Sequence, residues 1–387
     1  MRITIRRFLG GALLALALTL PSAAQEPGAQ EPDLETPRGS FDDLVEISEV
    51  LLDVLVTDRE GKVVVDLGPE DFAVIEGGER RPVTGASFYS NRFAVEQARQ
   101  NGELLQPAAG EVLADRHFIF YFQDARRLDD PGRRIFRRQR DAVRQAKRWV
   151  EEEMLGGDWV AIVGYDVKLK VFSDFTQDRE QLTAALDRMS RGKDPQNSWP
   201  SRRGDDSENP LSVPSLLSHL PEGKSLRDES ESMYDGLSLV AEATRDIVGR
   251  KNLMLFSLGF GEIERIAGFG LRSLTSRPDG RFYPGLQESL NDNNVAVYAI
   301  DLVPGTGDHA QADFLSVLAD DSGGRYLFNF VNFMTPIRAA ADEASGYYLL
   351  SYQAEHPRGE VGYREVEIET VREGFEVRAR GGYRFGS

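Results

Sequence analysis

The sequence predicts a doubly wound, mostly parallel α/β sheet coupled to an antiparallel β-sandwich built from N- and C-terminal segments. Residues 115–345 alternate short apolar runs with segments of helical period, the rhythm of parallel strands joined by right-handed crossovers. Residues 44–92 and 346–387 instead hold short strands closed by tight turns. The first flank is too small to bury a comfortable core alone, so the expectation is one sandwich made by both flanks, with the middle of the chain inserted.

Composition narrows the function classes. The 387 residues include 46 Lys+Arg, 63 Asp+Glu and no cysteine, for a formal net charge of −17. Without cysteine there is no disulfide, thiol nucleophile or Cys-based zinc or iron–sulfur site. The acidic balance argues against nucleic acid as the main partner, because phosphate neutralisation needs a basic surface. A hydrophobic content of 41% is ample for packed cores and excludes wholesale disorder.

Residues 1–24 read as a signal peptide. Arg2, Arg6 and Arg7 precede a 13-residue apolar run, too short to span a bilayer as a helix, and Ser22 and Ala24 offer a cleavage site before Gln25. The chain is therefore expected to be exported, periplasmic or secreted, with no membrane span after cleavage. Loss of the three arginines brings the mature charge to −20. Residues 25–43, rich in Pro, Glu and Gln, read as a disordered, solvated linker.

Ordered structure is expected from residue 44. Apolar and polar residues alternate over 44–57, residues 58–62 supply a turn and 63–65 resume, which is a hairpin signal. Residues 70–76, the turn Gly77-Gly78 and residues 82–89 add two strands, and 93–114 reads as a linker. At the other end, 346–352, 363–371 and 375–383 read as three strands.

In the middle, 117–123 is a near-continuous apolar run, as a strand buried on both faces should be. A helix follows over 131–154, with apolar spacing at Ile135, Ala142, Ala146, Trp149 and Val150. Strands are expected over 159–165, 168–172, 252–257, 295–301 and 325–329, and helices over 178–189, 232–248, 283–291, 310–320 and 333–345. Residues 191–230, dense in Ser, Pro, Gly and charge, read as a long exposed loop.

Ligands of such sheets bind at the carboxyl ends of the strands. After the first strand comes Gln123-Asp124-Ala125-Arg126-Arg127-Leu128, with no glycine to admit a pyrophosphate, and GxxxxGK(S/T) is absent. The four histidines, His117, His219, His309 and His356, are scattered without an HExxH, which argues against a zinc hydrolase. Ser257 stands at a strand end without a GxSxG elbow or an evident His partner. Asp320 and Asp321 are consecutive helix residues and point about 100° apart. No catalytic residues and no enzyme activity are expected, and an unrecognised hydrolase would need acid, base and nucleophile to converge in one pocket.

A set of motifs adds a resemblance. Val54-Leu55-Val56-Thr57-Asp58-Arg59-Glu60-Gly61, then Asp71-Phe72-Ala73-Val74-Ile75-Glu76, Gly157-Asp158, Ser173-Asp174-Phe175-Thr176-Gln177-Asp178, Met233-Tyr234-Asp235-Gly236-Leu237, Gly249-Arg250-Lys251-Asn252 and Arg378-Ala379-Arg380-Gly381-Gly382-Tyr383 follow in order. Together they resemble the von Willebrand factor A-related domain family of secreted bacterial proteins, over almost all of residues 44–385. The resemblance implies a type A, Rossmann-like fold, non-enzymatic as a rule, whose members often bind protein partners through a divalent metal at the carboxyl edge.

The family's metal motif begins with an Asp and two Ser at alternate positions. Here Asp124 matches the carboxylate, while Arg126 and Leu128 stand at the hydroxyl positions. The threonine position falls near Glu231, between Ser230 and Ser232, and Leu258 replaces the carboxylate after the fourth strand. The site implied is degenerate: no cofactor is expected, and Mg²⁺ would need replacement carboxylates such as Asp129 and Asp130.

From Arg126 to Arg148, ten basic residues stand against three acids, a local +7 in an acidic chain. Arg133, Arg134, Arg137, Arg138, Arg144 and Arg148 put much of this on the first helix. Such a run is ordinarily a solvated face; its functional reading is a docking surface for an acidic partner. The expectation is a binding or adhesion module acting by protein–protein contact, through Asp124, Arg126, Arg127, Asp129, Asp130, Ser230, Ser232 and Phe260. The alternative is a structural component of an envelope or secreted assembly, whose sandwich pairs edges with other subunits.

Overall fold

A computed structural model describes residues 45–91, 112–124, 132–201, 213–265, 274–305 and 309–386. The expected leader and the linker after it lie outside these residues. The N-terminal strands are β1 (Val45–Thr57), β2 (Phe72–Glu76), β3 (Glu79–Arg81), β4 (Val83–Asn91) and β5 (Val112–Ala114). The middle of the chain gives β6 (Arg116–Gln123), α1 (Gly132–Glu152), β7 (Asp158–Tyr165), β8 (Leu169–Thr176), α2 (Arg179–Ser190), α3 (Lys224–Glu229), α4 (Met233–Glu242) and β9 (Lys251–Ser257). Then come β10 (Glu262–Arg265), β11 (Leu274–Arg277), α5 (Tyr283–Asp292), β12 (Val295–Asp301), α6 (Ala312–Asp321), β13 (Arg325–Leu327) and α7 (Met334–Glu343). The chain closes with β14 (Gly346–Pro357), β15 (Gly362–Thr370), β16 (Glu376–Ala379) and β17 (Gly382–Phe385).

The central sheet has six strands in the order β13-β12-β9-β6-β7-β8, parallel throughout except for the antiparallel edge strand β8. The apolar run of β6 serves both faces because successive side chains alternate. Ile119 and Tyr121 join one core with Leu237, Val240, Leu286, Phe314 and Leu318 from α4, α5 and α6. Phe118, Phe120 and Phe122 join the other with Val143, Trp149, Leu182 and Ile337 from α1, α2 and α7.

The flanks form two further sheets, β16-β1-β14-β4-β5 and β17-β15-β2-β3. β1 lies between two C-terminal strands, pairing β14 from Val45 to Val54 and β16 from Val54 to Thr57. The core between the sheets holds Leu52, Val54, Phe72, Val74, Tyr348 and Leu350. Buried at its rim, Glu76 accepts from Tyr383 Oη at 2.5 Å and pairs with Arg81 and Arg364, each at 3.2 Å.

Several expectations change at this level. Residues 63–65 form no strand; a single bridge joins Val63 to Thr57. Val112–Ala114, expected in the linker, runs parallel to β4. The strand expected over 375–383 is two strands in different sheets, because the chain crosses between them at residues 380–381, where Gly381 N–H donates to Asp321 O. The helix expected over 232–248 ends at Glu242, and the exposed loop over 191–230 contains α3.

The sandwich sits on the amino ends of the parallel strands, where the helices terminate. Asn294, just before β12, donates to Asp53 of β1, and Asn291 at the end of α5 donates to Tyr363 Oη at 2.6 Å. Glu343, the last residue of α7, is buried and receives Arg378 of β16 at 2.6 Å and Arg325 at 2.5 Å. The amino edge is thereby covered and the carboxyl edge faces away from the sandwich.

Candidate functional site

At the carboxyl edge, Tyr165 is the hub between the first-strand loop and the 230–232 segment. Its carbonyl accepts from Asp124 N–H at 2.6 Å and its hydroxyl donates to Glu231 O at 3.0 Å. Burial, with Asp235, Asp166 and Glu231 nearby, raises the phenol pKa well above the usual tyrosine range, so the hydroxyl stays a donor. Ser230 is fully buried; its Oγ donates to Leu226 O at 2.8 Å and accepts from Leu169 N–H at 3.1 Å. Ser232 caps α4 through a capping box, with its N–H donating to Asp235 Oδ2 at 2.8 Å and its Oγ accepting from Asp235 N–H at 3.2 Å.

Between β6 and β9, Gln123 replaces any charged group. Its Oε1 accepts from Ser257 Oγ at 2.7 Å and from Leu258 N–H at 2.9 Å, stitching the two strand ends together. Gly259 follows at φ +87°, where an added Cβ would lie 2.4 Å from Gln311, so only glycine fits. Phe260 turns inward among Tyr234 and Phe314, at centroid distances of 5.2 and 4.7 Å.

Beyond β12 lies a dyad that sequence reasoning missed. Asp301 is fully buried; its Oδ2 accepts from Tyr326 Oη at 2.8 Å and stands 2.7 Å from His309 Nε2, while Oδ1 accepts from Val303 N–H at 2.7 Å. Gln311 N–H donates to His309 Nδ1 at 3.3 Å, which places the ring proton on Nε2. Asp301 neighbours Ser257 in the parallel register, yet the serine hydroxyl is committed to Gln123 and accepts from Gly259 N–H at 2.9 Å. No free imidazole nitrogen faces it. The spacing from strand end to histidine, eight residues, was the available signal.

The other missed feature is apolar. Past β13, Phe328 and Val331 are 42% and 91% exposed, with Asn329 between them at φ +63°. The run from Tyr326 to Val331 outlasts the strand, which is how the sequence encodes a projecting knuckle.

Of the sequence-predicted residues, the structure brings Asp124, Glu231, Ser232 and Leu258 to one edge. Ser230 and Phe260 are buried and unavailable to a partner. Arg126, Arg127, Leu128, Asp129 and Asp130 lie outside the described residues, as does the side chain of Arg133. On α1, Arg134 and Arg137 are exposed, whereas Arg144 pairs with Asp141 at 2.9 Å and Arg148 with Glu152 at 2.8 Å. Arg138 departs from the basic face: its Nε donates to Leu302 O at 2.8 Å and its guanidinium lies over the Phe333 ring at 4.9 Å.

A divalent cation would need several oxygens aimed at one point. The described residues do not fit it. Leu258 offers no ligand, the Ser230, Ser232 and Gln123 oxygens are engaged locally, and the Glu231 side chain is 79% exposed with Lys168 Nζ at 4.0 Å. Among the described residues no group of three or more Asp, Glu or His side chains gathers as a cation site.

Read from β6 outward, the strand order is 3-2-1-4-5-6, the doubly wound arrangement with one antiparallel edge. The α/β unit is thus a doubly wound, Rossmann-like sheet, the fold class expected from the sequence. No family model matches the chain, and no curated protein matches it. Among solved structures it is similar to an aerotolerance-related membrane protein from Bacteroides fragilis, at 12% identity and TM-score 0.35, over 59% of this chain and 98% of that one. It is also similar to BatB from Bacteroides thetaiotaomicron, at 13% identity and TM-score 0.34, over 59% and 96% of the two chains. The ArnB paralog VWA2 from Sulfolobus acidocaldarius aligns at 10% identity and TM-score 0.33, over 87% of this chain and 75% of its own. No helix among the described residues is long and apolar enough to cross a membrane.

Proposed function

We propose that the chain is an exported, non-enzymatic binding module that engages a protein partner at the carboxyl edge of its α/β sheet, without a standard metal site. One observation carries this reading: the sandwich covers the amino edge, and at the carboxyl edge the polar groups bind one another in pairs. Gln123 with Ser257, Ser232 with Asp235 and Asp301 with His309 are each satisfied internally. Groups paired in this way hold a rigid surface that docks at little ordering cost. Phe328 and Val331 give that surface an apolar anchor, and aromatic anchors carry much of the energy in protein interfaces.

The test is a photo-cross-linking residue placed at Glu231 in the exported chain. A discrete protein adduct that persists in chelator is expected, with none from the same residue at Val371, which is exposed on the sandwich. Adducts from position 371 and none from 231 would refute docking at the carboxyl edge.

A further inference from the structure

The sandwich carries a strand edge with no partner strand among the described residues. β1 pairs β14 along Val45–Val54, but on its other side β16 reaches only Val54–Thr57. The chain leaves β16 at Ala379 and enters β17 in the opposite sheet at Gly382, so among the described residues no strand continues β16 along the first half of β1. Successive residues of an antiparallel strand send their N–H and C=O to opposite sides. Leu51 O accepts from Arg380 Nη2 at 2.7 Å, on the β16 side, which fixes the parity. Ile47 and Glu49 therefore direct their backbone groups into the open edge.

That edge borders a groove of about 580 Å³ between the two sheets. Val50 of β1 and His356 of the neighbouring β14 lie on one wall, with Tyr383 and Phe385 of β17 opposite. The His356 ring stacks on Phe385 at 4.3 Å and is 5% exposed, and its Nδ1 has no hydrogen-bond partner. On the outer face, Ile47 and Leu51 are 63% and 49% exposed. Natural sheets blunt or cover an edge of this kind, and this one combines unpaired backbone, apolar side chains on its outer face and an orphaned buried nitrogen.

We propose that this edge is a β-augmentation site: an extended segment of a different protein adds antiparallel to Ile47–Leu51, in line with β16, and seats alternate side chains in the groove. Glu49 selects the occupant. Pairing with a second β1 centred on Glu49 would set the two Glu49 side chains opposite one another, and like charges so placed are destabilising. A strand with Lys or Arg opposite Glu49 and apolar residues on either side of it complements both the edge and the mature charge of −20. This surface belongs to the sandwich and is independent of the carboxyl edge.

The probe is a fluorescent peptide with the core Thr-Val-Val-Lys-Val-Val-Thr and polar tails, titrated into residues 25–387. Saturable binding with Kd below about 100 µM is expected, lost when alternate peptide nitrogens are methylated. Glu49→Pro removes the outward N–H and should weaken binding by about tenfold. Glu49→Lys keeps the backbone intact and should shift preference by about fivefold toward the Val-Val-Glu-Val-Val peptide, which guards against misfolding of the proline variant. Equal binding by the methylated peptide, or no change with Glu49→Lys, overturns the proposal. So does a concentration-dependent dimer in light scattering that Glu49→Pro abolishes, because the occupant is then a second copy.

Discussion

His117 shows how one side chain sets a pH limit on this fold. It is a buried residue on β6, edge-on to Phe175 at 5.9 Å, and its Nδ1 has no partner. Burial first, and the Lys251 ammonium second, push its pKa down to about 4 from an ordinary 6.5. Between those values the unfolded chain binds a proton that the native state refuses, so stability falls as the pH drops through this window. The full loss is about 3 kcal/mol. His117→Phe should flatten that stretch of the acid limb in urea midpoints measured from pH 4 to 7; an unchanged limb would contradict the assignment. The same scale shows why the site was only partly legible. Asp124 and Leu258 can be placed from the strand pattern, because a strand end fixes its own next residue. The Asp301–His309 pair is closed by a loop, and no periodicity encodes a loop's return path.

Elements were legible where burial on two faces or strict helical spacing leaves one solution. β6 and β12 were read nearly residue for residue from apolar runs, and α1 from its spacing. Trp149 is the reason α1 docks as it does, meeting Phe118 and Phe120 at centroid distances of 5.3 and 5.8 Å. Trp149→Ala should cost about 3–5 kcal/mol in denaturant unfolding, and a cost below about 1 kcal/mol would mean that the helix is held by something else. Legibility failed where pairing rather than pattern decides. β5 exists because β4 offers it a parallel edge, and β10 pairs β11 antiparallel in a stretch to which the sequence pattern assigned no strand. The split of the last strand into β16 and β17 depends on Gly381 reaching Asp321, a contact no local sequence feature announces.

At the scale of the whole molecule, strands from both flanks share two sheets, and this sandwich caps the α/β unit. Glu343 joins the two parts, with Arg378 from the sandwich and Arg325 from β13 on its two oxygens. Glu343→Ala strands two guanidiniums beside a buried position and should cost about 3–5 kcal/mol while unfolding remains a single transition. Separation into two transitions in differential scanning calorimetry would contradict that single-transition unfolding. The edge-on division, with the amino side sealed and the carboxyl side presented, is the basis for placing partner contact at Asp124, Glu231 and the Phe328 knuckle. Metal independence is the sharpest prediction of the proposed docking, since the oxygens of Gln123, Ser257, Ser232 and Asp235 are held in mutual pairs. Isothermal titration of Mg²⁺ and Mn²⁺ into residues 25–387, with Asp124→Ala as control, tests it directly. No saturable heat at millimolar metal is predicted; one site per chain that vanishes in Asp124→Ala would contradict metal-independent docking.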